Sequence, residues 1–176
     1  MNIFLLLTFL LASCTGLPKG LKPVEGFDVT RYVGTWYEIA RLDQRFENGL
    51  DNISAQYKLA DDGGIQVLNQ GRNQETGEWK IAEGKAYFIE QPTLGRLKVS
   101  FFGPFYGSYN IIALDKEHYQ YSMVTGRDRS YLWILSRTKT LPKETLDALI
   151  ENAKKQGFDT DKLIMVKHDE KLDVRL

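Results

Sequence analysis

Cysteine is nearly absent from this chain of 176 residues; Cys14 is the only one. No intramolecular disulfide can form, and the folded domain has neither a cysteine nucleophile nor a cysteine zinc site. Histidine is scarce too. His118 and His168 stand far apart in charged settings, without ligand-spaced partners, and read as surface residues. Charge of one sign is missing: Lys plus Arg and Asp plus Glu both number 23, with no like-charged block. That excludes a general nucleic-acid binder, which needs excess positive charge against phosphate. There is no P-loop, no G-x-G-x-x-G and no G-x-S-x-G elbow, and acidic pairs such as Asp61-Asp62 sit in turns. Nothing in the sequence calls for a metal, a cofactor or a catalytic centre. Long apolar runs are lacking as well, apart from one near the start.

That run is Ile3 to Ala12, IFLLLTFLLA. It is too short to span a bilayer and fits the core of a signal peptide. It ends Leu11-Ala12-Ser13-Cys14, small residues before a cysteine, and so resembles the lipobox of bacterial lipoproteins. The n-region departs from the usual pattern, with no Lys or Arg. The resemblance implies cleavage after residue 13 and a lipidated Cys14 as the new first residue. Several acyl chains on one residue give stable anchoring where one chain is marginal. Thr15, where an aspartate is absent, implies the outer membrane by the same resemblance. Residues 14–26, rich in Pro and Gly, read as a lipidated N-terminus and tether. The domain proper is expected over 27–176.

What is present is alternation. The stretch Gly34-Thr35-Trp36-Tyr37-Glu38-Ile39-Ala40-Arg41 reads as a strand running on towards Asp43 or Phe46. Period two puts Trp36, Glu38 and Ala40 on one face and Tyr37, Ile39 and Arg41 on the other. Asp28 is placed to cap a single helical turn just before it. Ile53, Ala55, Tyr57 and Leu59 alternate up to the hairpin signal Asp61-Asp62-Gly63-Gly64, and Ile65 and Val67 alternate on the way back. Ala82, Gly84, Ala86 and Phe88 share a face; so do Leu97, Val99 and Phe101. Tyr109 to Asp115, Tyr119 to Thr125 and Tyr131 to Arg137 complete eight strands. The period then changes. Pro142 fits a first helical turn, and Leu146, Leu149, Ile150 and Ala153 make one apolar stripe that Gly157 stops. A short final strand, Leu163 to Val166, precedes a charged tail read as loose. The expected fold is all-β: an eight-stranded antiparallel up-and-down barrel with one C-terminal helix and a short last strand.

These residues resemble the lipocalin family, and within it the bacterial outer-membrane lipoprotein type that is similar to apolipoprotein D. Three separated motifs carry the resemblance: Gly34-x-Trp36 with its preceding turn, the segment ending Leu114-Asp115, and Arg137 at the end of YLWILSR. The second is weak, since the family often has Thr-Asp-Tyr there. The resemblance implies that Trp36 and Arg137 form a structural pair closing the barrel base, with no catalytic step.

Family register and strand parity then predict a cavity wall. From the first strands it takes Glu38, Ala40, Ala55, Tyr57 and Val67; from the middle ones Phe88, Val99, Phe101, Tyr109 and Ile111; from the eighth Tyr131, Trp133 and Leu135. The loops at the mouth would offer Arg41, Phe102, Phe105, Tyr106, Arg127 and Arg129 to a head group. Such a wall suits a fatty acid or lysophospholipid, each buried methylene contributing about 0.8 kcal/mol. Parity does not separate a lined cavity from a filled one. The resemblance implies a lipid carrier anchored in the outer membrane and facing the periplasm, for membrane maintenance. A barrel enzyme acting on a hydrophobic substrate and a filled barrel serving as an interaction module are the alternatives, and monomer and homodimer are both compatible with the sequence.

Overall fold

The alternating stretches become strands β1 (Gly34–Arg41), β2 (Leu50–Leu59), β3 (Ile65–Asn73), β4 (Trp79–Phe88), β5 (Arg96–Phe102), β6 (Phe105–Leu114), β7 (Tyr121–Thr125) and β8 (Leu132–Ser136). The computed structural model describes residues 15–169, so the leader and Cys14 lie outside the described residues. Successive strands pair antiparallel through short links. β1 pairs with both β2 and β8, and this closes the sheet into the expected eight-stranded barrel. Closure removes the sheet edges that an open sheet would expose. A two-residue β9 (Ile164–Met165) adds to the outside of β1 at Ala40 and Arg41.

The short helix α1 (Val29–Tyr32) comes first, capped as expected by Asp28, whose carboxylate accepts the Thr30 amide at 2.9 Å. The helical stripe becomes α2 (Lys143–Lys155), with Pro142 one position earlier than expected, at the N-cap rather than in the first turn. Leu149 and Ala153 bury against the outer wall with Ile39, Ala40, Ile112, Met123 and Ile134. A buried leucine of this kind contributes about 2 kcal/mol. The molecule therefore has two apolar layers: one inside the barrel, one between the barrel and its helix.

β1 stops at Arg41 and does not run on to Asp43 or Phe46. Its parity also breaks. Glu38 pairs with Leu135, but the next register partners are Ala40 and Ile134, so Ile39 is an extra residue, a β-bulge. Beyond it every side chain changes face. Ala40, expected on the cavity wall, packs outward against the helix layer, and Arg41, expected at the mouth, turns inward and is 2% exposed.

The stretch read as a tether lies against the barrel. The Asn110 amide donates to the Gly16 carbonyl, Arg129 to the Lys19 carbonyl, and the Val24 amide to the Ile111 carbonyl. Leu17 and Leu21 pack with the outer apolar layer, which gives this proline- and glycine-rich segment a reason to stay put. The tail is held too, as far as Asp169. The Asn52 amide donates to Lys167, the Asp169 amide to the Asn52 side chain, and the His168 ring bonds the Glu38 carbonyl at 2.7 Å.

Candidate functional site: the barrel lumen

The base is built first. Gly34 has φ +99°, a conformation glycine takes without strain, and a side chain there would meet the Arg137 guanidinium at 3.3 Å. Arg137 can therefore lie across the indole of Trp36, 3.9 Å from its centroid. It donates to the carbonyls of Arg31, Tyr32, Thr35 and Tyr119, tying α1, β1 and the β6–β7 turn together. Trp36 is fully buried and gives its own N–H to the Tyr32 carbonyl at 2.7 Å. The Tyr32 ring leans over it with centroids 4.7 Å apart, and Phe27 packs tilted against Tyr32.

Above the base the lumen is open. A lower chamber of about 110 Å³ rises into a wider upper one of about 870 Å³, and the two share wall residues, so the barrel is not a filled core. Of the residues expected on the wall, Glu38, Ala55, Tyr57, Val67, Tyr109 and Leu135 line the lower chamber. Val99, Phe101 and Trp133 line both, and Tyr131 lines the upper. Phe88 and Ile111 point inward but pack in the inner core without reaching either chamber: Phe88 lies edge-on to Phe27, and Ile111 is wholly buried beside the incoming chain at Val24.

The floor is polar but self-contained. The Tyr109 hydroxyl bonds those of Tyr32 (2.8 Å) and Tyr57 (3.0 Å), and Tyr32 also bonds Ser122 at 3.1 Å. Burial pushes the Tyr32 phenol up to about 12, and those of Tyr57 and Tyr109 well above their ordinary value, so all three are neutral.

At the waist, where the chambers meet, stands a charged cluster. Arg41, turned inward by the bulge, donates to Glu38 Oε1 at 3.1 Å and to the Glu47 carbonyl at 2.9 Å. The Glu47 carboxylate takes the Trp133 indole N–H at 3.1 Å and contacts Glu38. Burial raises the Glu38 carboxyl well above the carboxylate range; the charge of Glu47 adds to this, and Arg41 only partly offsets it. Burial raises Glu47 as well, opposed by its bond from Trp133. The two carboxyls therefore titrate as a pair, with the protonated form favoured most at Glu38. Sequence reading missed Glu47, which sits in an aperiodic loop. It also missed Asn69, which lines both chambers.

Phe102, Phe105, Tyr106 and Arg127 line the upper chamber, joined by Phe46, Lys80 and Ile81. Phe102 and Phe105 are 82% and 78% exposed, an apolar rim facing solvent. Arg129 is not part of this rim. It lies on the outer face, where its guanidinium clasps the Gln156 carbonyl after α2 and the Lys19 carbonyl of the N-terminal segment.

A family model of a lipocalin-like domain matches residues 27–168, from the base aromatics to the pinned tail. The chain belongs to the lipocalin family. Among relatives, the outer membrane lipoprotein Blc of Vibrio cholerae serotype O1 is 54% identical over 93% of this chain and 96% of its own length. The Blc of Escherichia coli K12 is 53% identical over 90% of each. Apolipoprotein D of Macaca fascicularis is 35% identical over 88% of this chain and 82% of its own. Insecticyanin from the tobacco hornworm Manduca sexta has the same fold, with a TM-score of 0.70, 26% identity and 88% of both chains covered. The chain's bacterial relatives at 53% and 54% identity are named outer membrane lipoproteins. An open apolar lumen on a lipocalin frame is a site for small hydrophobic ligands.

Proposed function

We propose that this lipocalin binds a single-chain lipid, a fatty acid or a lysophospholipid, and stores or carries it for upkeep of the outer membrane. The observation that carries the reading is the open lumen: an apolar well under a polar waist, with a rim of phenylalanines and cations. An acyl chain of sixteen or so carbons gains about 0.8 kcal/mol per methylene buried, enough to outweigh its ordering cost. Lys80 and Arg127 at the rim suit a phosphate. The Blc relatives are named outer membrane lipoproteins, which supports an anchor on Cys14 and residence at that membrane. We place the barrel on the periplasmic side. The role is that of a binding protein. The carboxyls at the waist are held by internal bonds, to Arg41 and to the Trp133 indole.

Native mass spectrometry of the chain extracted from bacterial membranes tests this. The expected result is one lipid per protein, with a single acyl chain. A barrel that arrives empty and takes up no added lipid would overturn the reading, and steady turnover of the bound lipid would make the protein an enzyme.

A further inference from the structure

Polar groups in the lumen differ in what they have left to offer. The floor hydroxyls of Tyr32, Tyr57 and Tyr109 bond one another. The waist is different. Glu38 and Glu47 put two carboxyls on the wall for a single guanidinium, and Arg41 is not on the wall at all. It lies behind them, giving two donors to Glu38 and the Glu47 carbonyl, while its Nε sits 3.9 Å from Glu47 Oε2 without a hydrogen bond. Two buried polar atoms nearby have no hydrogen-bond partner, the Asn69 side-chain oxygen and Arg41 Nε. What the wall itself presents to a ligand at the waist is the pair of carboxyls.

We propose that Glu47, held by Trp133 and backed by Arg41, decides which amphiphiles the lumen takes: it accepts a hydrogen bond from a ligand hydroxyl, such as that of a glycerol backbone, and turns away free carboxylates. The inference rests on the reading of the lumen as a lipid site and narrows it to hydroxyl-bearing acyl lipids. A carboxylate ligand would bring a third carboxyl against two in an apolar setting, with the Arg41 guanidinium off the wall and already ion-paired to both. A hydroxyl brings a donor and no charge. A site built around a buried acceptor rejects an analogue without the donor more strongly than an apolar pocket rejects a missing methylene. Glu47 lines both chambers, so its carboxyl oxygen is placed to accept from a ligand at the waist.

The test is displacement of the neutral probe phenylnaphthylamine from the purified full chain near neutral pH. Three ligands of equal acyl length are compared: monopalmitin, propyl palmitate and palmitate. Monopalmitin is expected to bind about tenfold tighter or more than the other two. In Glu47→Gln, whose side-chain oxygen still accepts from Trp133, palmitate should gain and the gap should close. Equal affinities in the wild type overturn the proposal, as does an unchanged ratio in a variant that unfolds at the wild-type temperature. Should that variant not fold, monopalmitin against propyl palmitate in the wild type decides alone. If none of the three displaces the probe, the reading of the lumen as a lipid site falls, a result distinct from equal binding.

Discussion

At the scale of single residues, Arg137 does the most varied work. One guanidinium covers an indole and satisfies four carbonyls from three chain segments. Burial lowers its pKa, yet among the described residues no carboxylate is paired with it, so the carbonyls and the ring hold the charge. Truncation strands those carbonyls at the barrel base. Arg137→Ala should lose about 3 kcal/mol of stability, and Arg137→Lys, which keeps charge but not the fork, should recover less than half. Chemical unfolding measures both. Lipid affinity should hold in each, because Arg137 touches neither chamber; lost affinity at unchanged stability would mean that base and pocket are one. The Trp36–Arg137 pair was open to sequence reading because a motif names each member. Glu47 was not. Its neighbours Phe46 and Asn48 give no period, and only the folded loop brings it to Trp133, 86 positions away.

At the scale of elements, period served well wherever it was unbroken. The α2 stripe, the β5 alternation and the Asp28 cap all sit where pattern puts them. What pattern does not contain is the bulge. Ile39 and Ala40 are both apolar and both fit an outer wall under a helix, so nothing local marks where the alternation slips. The N-terminal segment is a second case. Its prolines and glycines describe a chain that cannot form a helix or strand, which is not the same as one that is loose. Arg129 shows what fastens it, bridging Lys19 to the residue after α2. Arg129→Ala should speed amide exchange in residues 17–21 and in the last turn of α2 together, while ligand affinity holds. Exchange rising in one element alone would show that the clasp does not couple them.

At the scale of the whole molecule, the closed barrel was predictable from strand count and short links, since closure hides both edges of an eight-stranded sheet. Whether the barrel is hollow was not, because an inward-facing valine reads the same on a cavity wall as in a packed core. The buried waist also ties global stability to pH. Folding raises the Glu38 carboxyl above its ordinary value of 4.5, so the native state binds that proton more tightly than the unfolded chain. The stabilisation is complete below the ordinary value and is lost as pH rises through the raised one. Glu38→Gln cannot lose it. The wild type should therefore fall in melting temperature relative to Glu38→Gln as pH climbs from the ordinary carboxyl range, followed by circular dichroism. A difference that stays flat across that range would mean Glu38 is already ionised in the folded state.

The bulge at Ile39 carries one more consequence. Had the same residues alternated strictly through β1, with no bulge, Ala40 would face the lumen and Arg41 would stand outside among the apolar residues under the helix. Glu38 would then lose its cation, and the waist would be carboxyls alone. The composition of the chain would not change, yet the container would have a different interior. The chemistry of this lumen is thus written partly in where the alternation of β1 slips, which no count of residue types records.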